Sequence, residues 1–294
     1  MAYRYILGQP AAPRFLWEAE VFLTNLLSLD PDADVIMIFD TQNTTAVARL
    51  RDKYGIEIHE YPDLRDDKSY AASTRPYLFW KYFSEDPERE KGQYIQVETD
   101  IIFRELPKLP VLRGKEIIGG DCEGYVGYEY NASRILGKEI IDGFSRILNM
   151  TKAQIADVPG IGAQFAFSNP TADLWWHIYM DSNLLWHFIN SPRLATSNIQ
   201  RWSVEMLAQL YNFAKYGWDV AIDHELDHCT PTDNIEMWEH RKILHNAGVI
   251  GEGAAGLFYK GKYINRSPFT DDLSWVRKDR CSYEYVKAIK AVVL

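Results

Sequence analysis

The sequence predicts an α/β fold, with a mostly parallel central sheet covered by helices on both faces, in a single domain spanning 1–294. Three observations predict it. Short apolar, β-branched runs alternate with segments of helical period through the first hundred residues. The run VIMIF at 35–39 is continuously apolar and closes on Asp40, the pattern of a strand buried on both faces. With 294 residues, 47% of them hydrophobic and 25% charged, the chain has the composition of a globular protein. A chain of this size removes about three quarters of its unfolded surface from water, enough for a core without staples.

The elements follow in order. YRYIL (3–7) is a strand, GQPAAPR (8–14) a loop, and RFLWEAEVFLTNLLSL (14–29) a helix with apolar residues at helical spacing. DVIMIF (34–39) is the buried strand, TTAVARLRDKYG a helix stopped by Gly55, and IEIHEY (56–61) a strand. RPYLFWKYF (75–83) is a helix with Pro76 in its first turn, and YIQVETDIIF (94–103) one further strand. Alternation with such short connections means parallel strands, and ligands then bind at their C-terminal ends. Beyond residue 106, EIIGG (116–120), GAQFAFS (162–168), WDVAI (218–222) and RKILH (241–245) read as strands. KEIIDGFSRILNM, ADLWWHIYMDSNLLWHFI and SVEMLAQLYNFAKYG read as helices, the last ending at Gly217.

Several function classes drop out. A net charge of −9 argues against a protein whose main task is holding nucleic acid. The charge is uneven: residues 257–294 carry eight Lys/Arg against four acids, leaving −13 on the remainder. That segment reads as a solvated basic helix, with a tail folded over something anionic as the functional alternative. Cys122, Cys229 and Cys281 make no disulfide framework and no CxxC pair, so they read as buried and inert. No apolar run is long enough for a bilayer, and the N-terminal MAYRYILGQPAAPRF carries Pro10 and Pro13 in place of a sustained apolar core. The expectation is a cytoplasmic protein without stable membrane association, in which the N-x-S/T sequons at Asn43, Asn131, Asn149 and Asn265 are accidental. There is no GxxxxGK[ST] and no GxSxG; GIGAQF at 160–165 opens a strand and lacks the third small residue of a dinucleotide loop.

The segment richest in chemistry is YIQVETDIIFREL (94–106). Glu98 and Asp100 stand two apart beyond an apolar run, so on a strand both carboxylates point one way and reach one hard cation. A divalent ion there would bridge a diphosphate and neutralise a departing nucleoside diphosphate. Two exposed acids at a strand end are the bland alternative.

This arrangement resembles the "DxD" segment of glycosyltransferases with the GT-A fold, Glu98 standing where the family has its first Asp. The resemblance continues in family order over about 5–263 and implies a division into a nucleotide-sugar half (1–106), an acceptor half (107–256) and a basic segment (257–294). It implies donor contacts from Gly8, Gln9 and Arg14, from Arg75 in STRPY on the diphosphate or sugar, and from Thr99 between the two acids. KILHNAGV (242–249) resembles the late strand whose histidine, here His245, is the third metal ligand, with Gly248 beside it. Lys260 and Lys262 in LFYKGKY would then close over the diphosphate. Asp40 touches ribose or merely caps the next helix. IIGGDCEG (117–124) and IGAQFAFSN (161–169) resemble acceptor-side strands, so Asp121 and Gln164 face an acceptor or serve as structural hydrogen bonders. RWSVEMLAQL (201–210) resembles the helix carrying the acceptor-side acid, Glu205, a general base or an orienting group; Asp121 is the second catalytic candidate.

Taken together, the reading is a transferase moving a sugar from a nucleotide-sugar, with a UDP-sugar as the first donor to test, onto an acceptor hydroxyl. Two carboxylates and an imidazole suit Mn²⁺ first and Mg²⁺ second. Saccharide, protein, small-molecule and modified DNA-base acceptors all stay open. Trp175, Trp176, Trp186, Trp202 and Trp238 offer sugar-stacking faces or simply fill the core. The rival motif is HELDH (224–228), which satisfies HExxH through His224, Glu225 and His228 and would mark a zinc peptidase. That motif must lie in a helix, whereas Gly217 precedes it and Pro231 follows, so it reads as a solvated loop. A nucleotidyltransferase or a non-catalytic nucleotide-sugar binder would also suit a fold of this kind.

Overall fold

A computed structural model describes residues 3–249, 251 and 256–293. β1 (Arg4–Gln9) leads into α1 (Pro13–Leu29), whose first position is proline, where no backbone donor is needed. β2 (Val35–Asp40) is buried throughout. Asn43 caps α2 (Thr44–Tyr54) by accepting from Ala46 N, and Gly55 at φ +65° ends it in the left-handed conformation. β3 (Glu57–Tyr61), α3 (Thr74–Glu85), β4 (Gln93–Gln96), β5 (Ile101–Phe103) and β6 (Glu116–Asp121) follow. Next come α4 (Glu123–Val126), α5 (Tyr128–Ala132), α6 (Gly137–Leu148), α7 (Lys152–Ala156), β7 (Ile161–Ser168), α8 (Ala172–Ile189) and α9 (Val204–Lys215). The chain closes with β8 (Asp219–Ile222), β9 (His228–Cys229), α10 (Glu236–His240), β10 (Ile243–His245) and α11 (Ser282–Ala291).

The fold class is the expected α/β arrangement, with two departures in the first half. Gly8 and Gln9 belong to β1, and Arg14 to α1, so the expected 8–14 loop shrinks to Pro10–Ala12. The expected single strand at 94–103 breaks into β4 and β5, with a turn at Thr99–Asp100. Apolar continuity concealed that break, because both halves are buried on their own.

The residues group into two compact units. One comprises 5–62, 97–109 and the described residues from 225 onward. Its parallel sheet has the order β3–β2–β1, with Gly8 opposite Ile38 and Asp40 opposite Tyr61. A smaller sheet, β5–β10–β9, pairs Ile101 with His245 antiparallel and Leu244 with Cys229 parallel. α11 packs on α1 over a core of Trp17, Ile102, Leu244, Phe258, Tyr263 and Tyr285. Trp17 donates from Nε1 to Tyr263 O at 2.9 Å, and each large side chain buried there contributes about 1.5–3 kcal/mol. Cys229 and Cys281 lie in this same core as free thiols, Cys229 Sγ donating to Ile243 O at 3.5 Å and Cys281 Sγ to Asn234 O at 3.1 Å, so both are buried as expected.

The other unit comprises 3–4, 63–96 and 110–224. Its sheet has the order β4–β7–β6–β8, with β7 antiparallel to both neighbours and β6 parallel to β8. The register slips between Gly119 and Gly120, opposite Ala163 at φ +38°, so Ala163 and Gln164 form a bulge. A side chain at Gly119 would press on Ile161 at 3.0 Å, which accounts for glycine there. α8 packs between α3 and α9, with Trp175 fully buried.

Two buried amide contacts on α9 differ in an instructive way. Gln96 and Gln209 exchange amide hydrogen bonds at 3.0 and 2.9 Å. Asp181 accepts from Asn212 Nδ2 at 2.9 Å, leaving Asn212 Oδ1 buried without a donor among the described residues. Burial raises the pKa of Asp181, with Asn212 and Lys215 opposing it. The folded state therefore binds the proton more tightly than the unfolded chain. Stability from this group is greatest below about pH 4 and falls as pH rises through the folded pKa. Asp181→Asn supplies the missing donor and removes the charge. It should raise thermal stability at pH 7 by about 1 kcal/mol, a few degrees, and leave it nearly unchanged below about pH 4. Calorimetry at both pH values checks this; a loss of stability at pH 7 would contradict it.

Candidate functional site

In the first of these units, β5 and β10 bring together three side chains from distant parts of the sequence. The ligand atoms of Glu98, Asp100 and His245 all lie within 4.8 Å of one another. The pairing of Ile101 with His245 and a hydrogen bond from Asn246 N to Asp100 O (2.9 Å) fix the backbone beneath them. The turn, and not the expected strand alternation, aims the two carboxylates. Asp100 and His245 are buried, and Glu98 is half-buried.

The two oxygens of Asp100 face different partners. His245 Nε2 lies 3.3 Å from Oδ1, and the Lys260 ammonium sits on Oδ2. Burial alone would raise the Asp100 pKa, but the charges of Lys260 and His245 override it and hold the carboxyl well below the usual range. Beside this pair, α1 contributes Arg14 and Glu18, residues one helical turn apart. Arg14 Nε donates to Glu18 Oε1 at 2.8 Å, and Thr99 Oγ1 donates to Glu18 Oε2 at 3.1 Å. Burial raises the Glu18 pKa; Lys260 and Arg14 counter it, and the like charge of Asp100 adds to it. Tyr285 of α11 is fully buried, its hydroxyl without a hydrogen-bond partner among the described residues and its pKa pushed up by burial and by the charges of Glu18 and Asp100. The His228 ring lies 5.4 Å from that of His245 at 63°, and burial with that neighbour pushes its pKa down to about 3.

Two carboxylates and an imidazole that converge beside a buried network of compensating charge form a donor set that fits a divalent cation. Sequence reasoning missed Glu18, His228 and Tyr285 as neighbours of this cluster. Glu18 had one visible signal, an acid inside an otherwise apolar helical stretch four residues after an arginine.

The remaining donor candidates fare unevenly. Gly8 and Gln9 are buried near the end of β1. Gly248 adopts φ +81°, with no atom of the described residues within 4 Å of where a side chain would project. Asp40 accepts from Ala11 N at 2.9 Å and Gln42 N at 3.2 Å, so its capping role is the one observed. Lys262 does not join Lys260. It is exposed, its ammonium 5.8 Å from the Trp275 ring, because the intervening 3₁₀ turn separates the two side chains. Much of the basic segment is locally paired, Arg266 with Asp271 at 2.7 Å and Lys287 with Glu284 at 2.5 Å.

The HExxH segment is not a helix. Residues 224–226 form a 3₁₀ turn and His228 begins β9, so no helical face carries two histidines. It is not the expected solvated loop either: Asp227 is buried against Arg241 at 3.2 Å, and Glu225 accepts from Lys242 at 2.7 Å.

The second unit holds Arg75, Asp121, Gln164 and Glu205. Glu205 opens α9, is buried, and has Arg75 Nη2 at 3.7 Å, so Arg75 is the counter-ion of that acid. Glu205 N donates to Tyr70 Oη at 2.9 Å, and Tyr70 Oη donates to Trp202 O at 3.0 Å. Gln164 is fully buried, and neither polar atom of its amide has a hydrogen-bond partner among the described residues. Asp121 is exposed and accepts from Glu123 N at 3.1 Å. Of the tryptophans, Trp175 is core, Trp186 stacks on Tyr70 at 4.5 Å, and Trp202 is 57% exposed.

Neither a protein-family model nor a curated protein matches the sequence. Solved structures do match. The galactosyltransferase LgtC, in complex with donor and acceptor sugar analogues, superposes with a TM-score of 0.51 at 10% identity, over 99% of this chain and 96% of LgtC. An active-site mutant of LgtC gives 0.50 at 11% identity over the same shares. The bifunctional glycosyltransferase WbbM is matched with a TM-score of 0.49 at 11% identity over 98% of this chain, which spans only 51% of WbbM. Among the described residues no helix is long and apolar enough to cross a membrane. The chain has the GT-A glycosyltransferase fold.

Proposed function

We propose that the chain is a glycosyltransferase acting on a nucleoside-diphosphate sugar. The convergence of Glu98, Asp100 and His245, in the fold of a sugar transferase, is the observation that carries this reading. These three residues would hold a divalent cation, Mn²⁺ first and Mg²⁺ second, which supplies charge neutralisation to the diphosphate. Lys260 adds a mobile positive charge, and Arg14 with Glu18 and Thr99 fixes the segment that carries the two acids. Gly8, Gln9 and Gly248 supply backbone to the same donor site.

In the reaction, the bond from the anomeric carbon to the diphosphate oxygen breaks and its electron pair leaves with the diphosphate. The acceptor oxygen bonds to that carbon and its proton passes to a base. We assign that proton to Glu205, with Arg75 as its counter-ion, and acceptor recognition to Gln164, Asp121 and the exposed Trp202. Gln164 supports this best. A buried amide lacking both partners among the described residues costs about 1–3 kcal/mol per group, and a bulge is a place where a strand re-aims a side chain. LgtC was solved with donor and acceptor sugar analogues, which makes a sugar the first acceptor class to test.

The test is release of nucleoside diphosphate from UDP-, GDP- and CDP-sugars with Mn²⁺, first without acceptor and then with a panel of saccharides. Metal-dependent release from one donor, accelerated by an acceptor, supports the proposal. No release from any donor under either condition would overturn it.

A further inference from the structure

We propose that Lys260 is a resident cation of the metal site, which a divalent ion must displace from Asp100, so that metal and nucleoside diphosphate bind with positive coupling. The inference rests on the donor-site reading above and concerns how that site is gated. Both oxygens of Asp100 are already engaged, one by His245 at 3.3 Å and the other by the Lys260 ammonium. Asp100 cannot move away. It is buried, its carbonyl accepts from Asn246 N at 2.9 Å, and the next residue is registered against His245. Lys260 can move, being partly exposed on a flexible four-carbon stem at the start of a 3₁₀ turn.

A divalent ion bound by Glu98, Asp100 and His245 would share a carboxylate with an ammonium group, and two cations on one carboxylate repel strongly in a buried site. The ion must therefore drive the ammonium off. Without nucleotide, Lys260 gives up a buried ion pair and gains only water. With a diphosphate present it exchanges one anion for another, so the nucleotide removes the cost of metal entry. By linkage the coupling is reciprocal: metal must strengthen diphosphate binding by the same factor. Glu18, buried beside this turn on Arg14 and Thr99, adds negative charge that favours a cation at the site. Lys262, exposed over Trp275, takes no part.

Mn²⁺ binding to the full chain, read by electron paramagnetic resonance of the free ion, tests this without any turnover. The titration is run with and without saturating UDP, GDP or CDP, with correction for nucleotide-bound Mn²⁺ in solution. In the wild type one nucleotide should tighten Mn²⁺ at least tenfold. Lys260→Met should bind Mn²⁺ alone at least tenfold tighter than the wild type, and the nucleotide should then add less than threefold. Lys260→Arg, which keeps the charge, should retain the wild-type pattern. Equal Mn²⁺ affinity in the Met variant and the wild type, or a nucleotide effect unchanged by its removal, overturns the inference and leaves the donor site intact. Absence of coupling in the wild type overturns it without any variant. A wild type that binds no Mn²⁺ with any nucleotide overturns the donor-site reading itself.

Discussion

Asp100→Ala should weaken metal-dependent nucleotide binding by at least 100-fold, about 2.7 kcal/mol, and reduce sugar transfer to background. Asp100 both faces His245 and carries Lys260, so removing it disperses the site and does not merely trim one ligand. Loss of a group that only supports a metal ligand typically costs about 10–100-fold, and a direct ligand should cost at least as much. The variant also leaves Lys260 without its carboxylate. The stability cost should be about 1–3 kcal/mol, limited because that side chain reaches solvent. Far-UV circular dichroism separates unfolding from loss of the site. Glu98→Gln, at a half-buried position, should reproduce the binding loss at lower structural cost. Retention of metal-dependent nucleotide affinity in both variants would remove Glu98 and Asp100 from the donor site.

Glu205→Gln should lower kcat by about 10²–10⁴-fold while nucleotide and metal affinities stay within about threefold of wild type. Glutamine preserves the shape and the backbone hydrogen bond to Tyr70 but cannot take the acceptor proton. It also leaves Arg75 facing a neutral group, so a modest loss of stability accompanies the kinetic effect. A non-catalytic nucleotide-sugar binder predicts a different pattern, with unaltered binding and no turnover in the wild type to lose. A kcat within a few-fold of wild type would show that Glu205 has only a structural role.

Local rules carried much of the fold. VIMIF is buried at every position, Gly55 terminates its helix at positive φ, and the span 172–189 is helical throughout. Each of these follows from residues within one element. What the sequence concealed depends on contacts between distant segments. The break between β4 and β5 lies in an unbroken apolar run, and only the turn at Thr99–Asp100 divides it. The three metal-ligand candidates were legible by resemblance, and the structure brings them together, but the surrounding charge network was not. Glu18 reaches Thr99 across 81 residues and Lys260 reaches Asp100 across 160, distances at which no periodicity applies. The two lysines of KGKY look equivalent in sequence, and a single 3₁₀ turn makes one a partner of the acid cluster and the other a surface group.

The most direct measurement is thermal unfolding with Mn²⁺ and, separately, UDP, GDP, CDP and their sugars, on wild type and Asp100→Ala. A ligand at about 100 times its dissociation constant adds about 2.7 kcal/mol, a shift of several degrees. A metal-held donor site predicts a shift with one nucleotide that requires Mn²⁺ and vanishes in Asp100→Ala. No shift with any nucleotide, or one that persists without metal and in the variant, would contradict it.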